Sequence, residues 1–339
     1  MIWFDHTKAR ATRHKSGLMR VSARLAEELG EEARLAPWSE VQRRASARDW
    51  FVTAELFSEQ ERPGFRAFIE AGRCRTAAIF HDAIPLRHPE ISWPQSVARH
   101  PDYMKLLHRF DRVWAVSEAS ARDLREYWQW LGVSPVPEVS PLALGSDFNR
   151  EPRAASAGPA PAPVLLSVGI IEPRKNQALV LEACAALWRA GLSFELHFVG
   201  RVNPHFGKPI VRAIKQARRE FRGLHFHEAA DDRLLAKLYR TARATLFPTV
   251  AEGCGLPLLE SLWRGVPCLC SDLPVLRENA GAGGCESVAV NDQAAWVQAI
   301  RRILTDDTHW RSLAHGATTR SLPTWAETAR SLRAGLAEA

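Results

Sequence analysis

Nine residues of this chain, Glu252-Gly253-Cys254-Gly255-Leu256-Pro257-Leu258-Leu259-Glu260, combine the side-chain types that hold a phosphorylated ligand. Two glycines let the backbone approach a ligand closely, and Pro257 suits the first turn of a helix, where its missing N–H is not needed. The apolar run Ala244 to Pro248 before them reads as the end of a strand, and Leu258 to Arg264 after them reads as a helix. An anion would sit on free backbone N–H groups at the positive helix end. A carboxylate stands on each side, Glu252 on the loop and Glu260 one to two turns into the helix, and such acids suit hydroxyls better than phosphate. The spacing points to a ligand with both parts, a phosphorylated sugar or a nucleotide. Glycine-rich strand-to-helix turns are common in doubly wound proteins, so the paired glutamates and the Gly-x-Gly-x-Pro core carry the inference.

A second loop, Gly169-Ile170-Ile171-Glu172-Pro173-Arg174-Lys175-Asn176, again puts glycine and basic groups between a strand and a helix. Arg174 offers a planar fork and Lys175 a compact point charge, a pair able to neutralise a diphosphate; an exposed helix start is the plainer reading of the same pair. Earlier in the chain, the strand Thr76 to Phe80 runs into His81-Asp82, and ligands of open parallel sheets bind beyond the carboxyl ends of strands. Gly17 lies in a loop between a short first strand, Met1 to Asp5, and a helix whose Leu18, Val21, Leu25 and Leu29 share one face and stop at Gly30. It lacks the companion glycines of a dinucleotide fingerprint.

The elements that must position these residues alternate in type. In residues 1–150, Trp50 to Phe57, Thr76 to Phe80, Arg112 to Ser117 and Val136 to Leu144 read as strands. The segment from His88 to Pro101 reads as a Pro- and Trp-containing loop able to close over an acceptor. Ser120 is placed to cap a helix over Ala121 to Trp130, whose Tyr127, Trp128 and Trp130 read as packing. Residues 151–163 are rich in Pro and Ala, as a linker should be. Beyond them, five apolar strands, Val164 to Val168, Phe194 to Val199, Leu224 to Phe226, Ala244 to Phe247 and Pro267 to Cys270, are separated by helical segments. Such alternation predicts an α/β domain with a parallel sheet over 164–322. Pro323-Thr324-Trp325 opens a last amphipathic helix, residues 323–339.

Bulk properties exclude several classes. With 339 residues, 46% apolar and 24% charged, the chain has room for two ordinary soluble domains. No window approaches about 18 uninterrupted apolar residues, and Met1-Ile2-Trp3-Phe4-Asp5 has no signal-peptide pattern, so the expected location is the cytoplasm. Six cysteines without a Cys-x-x-Cys pair read as buried free thiols, with no zinc site. The net charge of +7 is spread over both halves, and nucleic-acid binding finds no support. One local run, Lys8, Arg10, Arg13, Lys15, Arg20 and Arg24, has no acid among it. It would face a phosphate-bearing acceptor or the inner face of the cell membrane, or serve as a solvated face. Asp231-Asp232 starts a helix and is not an Asp-x-Asp metal motif, so no metal is expected at the site.

The stretch from Glu252 to Glu260 resembles the Glu-x7-Glu signature of family-4 retaining glycosyltransferases, and Glu172-Pro173-Arg174-Lys175-Asn176 resembles a second segment of that family. The resemblance implies the GT-B architecture, two Rossmann-like domains with parallel sheets facing across a cleft, the last helix packing back on the first domain. It implies a nucleoside-diphosphate sugar as donor and no other cofactor. Glu252, His81 and Lys175 are then the catalytic candidates, with Glu252 and His81 at the donor sugar. Gly17, Gly169, Arg174, Lys175, Gly253, Cys254, Gly255, Leu256 and Glu260 are the donor-binding candidates, Glu260 at the ribose. Arg20, Asp82 and Ser117 are assigned to the acceptor side. Where many members carry Arg directly after the glycine, this chain has Ile170, which puts the anion clamp on Arg174 and Lys175. Similarity to mannosyltransferases of bacterial polysaccharide and lipopolysaccharide assembly makes GDP-mannose the expected donor and dTDP-rhamnose the second. The acceptor is then a glycan or lipid-linked glycan, with other transferases as partners. Two alternatives remain, a nucleotide-sugar epimerase and a non-catalytic sugar-nucleotide-binding partner of another transferase.

Overall fold

A computed structural model describes residues 1–11, 17–147, 151–155 and 162–338. The chain divides into two compact units, Met1–Phe148 with Pro323–Ala339, and Asn149–Leu322. The first holds strands β1 (Ile2–Asp5), β2 (Ala33–Ala36), β3 (Trp50–Thr53), β4 (Arg75–Phe80), β5 (Arg112–Ala115) and β6 (Val139–Pro141). The second holds β7 (Val164–Val168), β8 (Glu195–Val199), β9 (Leu224–His227), β10 (Ala244–Phe247), β11 (Cys268–Ser271) and β12 (Cys285–Val288). Each set forms one six-stranded sheet with every pairing parallel, in the orders β2-β1-β3-β4-β5-β6 and β12-β11-β10-β7-β8-β9. Helices cover both faces, which is why central strands such as β3 and β10 are buried at every residue.

Both orders reverse direction once, between β1 and β3 in the first sheet and between β7 and β10 in the second, leaving a crevice at the carboxyl ends of those strands. In the first unit a guanidinium fills this place. Arg62, fully buried, donates from Nη2 to Asp5 at 2.6 Å and to Glu55 at 2.6 Å, and from Nε to Asp5 at 3.1 Å. Thr53 and Thr7 hydroxyls complete Asp5, at 2.8 and 2.6 Å. Glu55 accepts the backbone N–H groups of Lys8 and Ala9 at 2.7 and 2.9 Å, fastening the short helix Thr7–Ala11. Burial, and then the charge of Asp5, push the Glu55 carboxyl above its usual value.

The helix Gly17–Leu29 buries Val21, Leu25 and Leu29, as their spacing predicts. The terminal helix Trp325–Glu338 belongs to the same unit and packs on it. Trp325 N–H donates to Asp147 at 2.7 Å and the Thr328 hydroxyl to the Ala143 carbonyl at 2.8 Å. A Cβ on Gly335 would lie 2.7 Å from the Trp114 ring, so glycine sets how closely that helix approaches.

Several expectations are corrected. The segment from His88 to Pro101 is mostly helical: the helix Pro94–Leu107 accepts Pro94 in its first turn and carries Pro101 within. The helix before β6 is Glu118–Trp130, and its cap is Ser117, which accepts from Ser120 N–H at 3.0 Å. Trp128 is core as expected, whereas Trp130 is exposed. The third strand stops at Thr53. Two strands escaped the sequence reading, β2 and β12. Ala-Arg-Leu-Ala and Cys-Glu-Ser-Val have little bulk because each runs along a sheet edge, where one partner and partial exposure suffice. Linker residues 156–161 lie outside the described residues.

Candidate active site

The loop after β7 is shaped by its neighbours. A Cβ on Gly200 would stand 1.8 Å from the Gly169 carbonyl oxygen, so the loops after β7 and β8 meet backbone to backbone at Gly169 (φ +153°) and Gly200 (φ +155°). A 3₁₀ turn, Pro173–Lys175, follows and ends at Asn176, left-handed at φ +52°, from which the helix Gln177–Arg189 starts. Arg174 and Lys175 are thereby held against the loop after β10. Val250 N–H donates to the Arg174 carbonyl at 2.9 Å, and the Thr249 hydroxyl lies 3.0 Å from that same oxygen. These backbone links turn two loops separated by more than seventy residues into one piece.

Four charged side chains meet there. The Lys175 ammonium pairs with Glu252 Oε1, Arg174 Nη1 lies 3.1 Å from the same oxygen, and the Thr249 hydroxyl donates to it at 2.8 Å. Arg174 also reaches Glu172 from Nη2 and Nε, at 2.9 and 3.0 Å, and the Ala251 carbonyl at 3.1 Å. The other oxygen of Glu172 accepts from Asn203 at 2.8 Å. Beneath, the Lys175 ammonium stands 4.8 Å from the centre of the Phe247 ring. Burial pushes the Glu252 carboxyl up, but Lys175 and Arg174 outweigh it and hold the acid below its usual range. Burial likewise lowers Lys175, against the pull of Glu252. Glu252 is therefore ionised at neutral pH, with the Lys175 and Arg174 cations beside it. Arg174 keeps 23% of its side chain in solvent and Lys175 10%. The result is a preformed cationic pair at the strand-order reversal, with a carboxylate between its two members.

The rest of the nine-residue stretch follows directly. Gly255 is left-handed at φ +85°, where a Cβ would come within 2.5 Å of Leu276, and the helix Leu256–Trp263 starts from it with Pro257 in its first turn. Asn279 donates to the Cys254 carbonyl at 2.8 Å, and burial pushes the Cys254 thiol up to about 12, so Cys254 is inert and its backbone is what it offers. Glu260 is buried, at 2% exposure, just over one turn into the helix. Glu172, Thr249, Asn203 and Phe247 are the participants that spacing did not single out; Glu172 stood within the quoted Glu172–Asn176 segment without a role.

Candidates of the first unit are arranged otherwise. His81 Nε2 lies 2.8 Å from the Ala54 carbonyl, and since a carbonyl only accepts, that nitrogen carries the proton. Burial holds its pKa below the usual value, so the ring is neutral with Nδ1 as acceptor. Ser120 donates to the His81 carbonyl at 2.9 Å, while Asp82 caps Ile84 N–H at 3.0 Å and its carbonyl lies 2.9 Å from His100 Nε2. Ser117 serves the helix start. Gly17 and Arg20 lie in the first turn of Gly17–Leu29. Of the basic run, Arg13 and Lys15 lie outside the described residues; Lys8 pairs with Glu61 at 3.0 Å, and Arg24 with Glu27 and Glu28 at 2.6 and 2.9 Å. That pairing neutralises two members of a run that sequence alone leaves acid-free.

The sequence profile of glycosyl transferases group 1 matches residues 149–320, half of the chain, and covers the whole cluster. The chain belongs to the group 1 glycosyl transferases. Over 216 residues this group 1 chain is 31% identical to the serotype-specific mannosyltransferase WbdA of Escherichia coli, 60% of the chain and 26% of that protein. It is also 31% identical to the O-antigen chain mannosyltransferase B of Escherichia coli over 150 residues, 44% and 38% of the two chains. The chain therefore spans about a quarter of the length of the first and under half of the second. Among solved structures, Anabaena HepE in complex with UDP and glucose superposes over 100% of this chain and 99% of its own, with a TM-score of 0.77 at 13% identity. The fold is GT-B, as the resemblance implies.

Proposed function

We propose that the chain transfers a hexose from a nucleoside-diphosphate sugar to a glycan or lipid-linked glycan in polysaccharide assembly, retaining the anomeric configuration and without a divalent metal. The cluster of Arg174, Lys175 and Glu252 at the strand-order reversal, in a chain of this family, carries the reading. As the glycosidic bond breaks, the diphosphate gains negative charge, and fixed cations aimed at that charge lower the barrier most. Arg174, Lys175 and the backbone N–H groups from Gly253 to Leu256 serve it, with Gly169 giving room for the phosphates. Glu252 orients the donor sugar and Glu260 holds the ribose. Neutral His81 offers Nδ1 to a sugar or acceptor hydroxyl. No side chain is assigned a covalent role.

The mannosyltransferase relatives support GDP-mannose as the first donor to test, with dTDP-rhamnose second; the nucleotide in the HepE complex adds UDP-sugars as a third arm. No helix among the described residues is long and apolar enough to cross a membrane. We place the reaction in the cytoplasm, at the inner face of the membrane where lipid-linked acceptors lie. The test is a thermal-shift screen of donors, in which a ligand at 100 times its dissociation constant stabilises by about 2.7 kcal/mol, followed by product analysis. Free nucleotide together with a longer glycan, undiminished by EDTA, supports the proposal. A changed sugar without acceptor would identify an epimerase, binding without turnover would identify a non-catalytic partner, and loss of transfer in EDTA restored by manganese would end the metal-independent reading.

A further inference from the structure

On one face of the second sheet, at its edge, four metal-ligating side chains sit together. Glu195 and His197 alternate along β8, and His225 and His227 alternate along edge strand β9. His197 and His225 are register partners, with rings 4.4 Å apart and inclined by 20°. His197 Nε2 lies 3.0 Å from Glu195 Oε2, and His225 Nε2 lies 3.6 Å from the same oxygen. All three donor atoms fall within 4.8 Å of one another. Zinc bonds of 2.0–2.1 Å place tetrahedral ligands about 3.3 Å apart, so this triangle is close to the size a metal requires.

We propose that Glu195, His197 and His225 form a site for a first-row transition metal ion, zinc in the first instance, that ties edge strand β9 to β8. His227 stands behind His197 and can hold its ring. His197 Nε2 gives its proton to Glu195 in this structure; with a metal in place of that proton, Nδ1–H would donate to His227 Nε2, 3.0 Å away, and fix the ring. Arg218 lies near His225 and His227. Neutral imidazoles are the ligating form. The carboxylate of Glu195 offsets the Arg218 charge that would otherwise oppose a cation. Three protein ligands leave one coordination position for water, and imidazole with carboxylate suits zinc, nickel or copper better than calcium or magnesium. The site is separate from the transfer reaction proposed above and stands or falls without it.

The experiment uses the tag-free chain, treated with chelator and freed of it, titrated with Co²⁺ under visible absorption and then with Zn²⁺ in competition. One Co²⁺ per chain, with the d–d band of a four-coordinate nitrogen and oxygen site displaced by Zn²⁺, is expected. Glu195→Gln and His225→Gln, at side chains 53% and 37% exposed and therefore tolerated by the fold, should each weaken Zn²⁺ by more than about tenfold, and His227→Gln by about tenfold through His197. Zn²⁺ should raise the melting midpoint of the unsubstituted chain and leave that of His225→Gln unmoved. Absence of binding at micromolar metal, equal affinity in Glu195→Gln and His225→Gln, or a thiolate charge-transfer band would each overturn the site.

Discussion

Each unit gathers charged side chains where its sheet reverses strand order, yet the two clusters are built for different ends. In the first, Arg62, Asp5 and Glu55 are sealed from solvent, and the guanidinium occupies the place where a ligand would lie in an open α/β sheet. In the second, Arg174, Lys175, Glu172 and Glu252 balance two positive with two negative charges, and every member retains some solvent access, from 8% for Glu252 to 23% for Arg174. A charge without access to water can only brace the fold, because exchanging its partner for a ligand would leave it uncompensated. A charge at the rim can release one partner and take another. The first crevice is therefore a joint that holds the loop starting at Thr7, and the second is where, in the reaction proposed above, a diphosphate would displace a carboxylate.

The largest test of that contrast is Arg62→Met. It strands Asp5 and Glu55 together in the interior and should cost about 3–5 kcal/mol, read as a fall in the urea midpoint. A loss below about 1 kcal/mol would mean that water reaches the joint, and the distinction would collapse. Next is Lys175→Ala. Glu252 keeps Arg174 and Thr249, so the fold should be less affected, while free nucleoside diphosphate should bind more weakly by about 1.5–3 kcal/mol in calorimetric titration. Unchanged affinity would show that the pair is not the clamp.

The two glutamates sharpen the contrast further. Glu260→Ala should weaken nucleotide by about 1.5–3 kcal/mol, the range for hydrogen bonds to a charged group. Glu252→Gln should leave nucleotide affinity intact or raised, since it removes the competitor for both cations, while single-turnover transfer falls sharply. Equal losses of nucleotide affinity in the two variants would refute the division of roles.

The smallest effect separates the clusters by pH. The folded Glu55 carboxyl is raised above 4.5, so its stabilising contribution is complete below that value and fades as pH rises through the folded pKa. The folded Glu252 is lowered below 4.5, so its contribution is complete above that value and is lost as pH falls through the folded pKa. Urea midpoints between about pH 3 and 7 should show Glu55→Gln removing a slope above 4.5 and Glu252→Gln removing one of opposite sign below it. The same sign for both would contradict the burial and pairing described.

Much of this was legible in order of residues. The glycine, proline and carboxylate pattern from Glu252 to Glu260 marked a strand, a turn and a helix, and the left-handed Gly255 with Pro257 in the first turn bears it out. The Arg174-Lys175 turn was legible for the same reason. His88 to Pro101 misled because prolines that read as loop punctuation sit where a helix tolerates them. Arg62 drew no notice: nothing near it in sequence distinguishes a brace from a surface arginine, and Asp5 lies 57 residues away. Alternation of Glu195 with His197 and of His225 with His227 was a visible signal, but one that acquires meaning only when β8 and β9 are paired in register.

The sequence alone determined the turns, the helix starts and the alternation of elements, because backbone angles and capping bonds depend on residues within a few positions. Tertiary structure alone decided that Lys175 and Arg174 share one oxygen of Glu252, 77 residues from Lys175, and that one charge cluster is sealed while the other is reachable. Strand order sets which charges become neighbours, and burial sets what separating them would cost. Neither quantity is a property of any short stretch of chain.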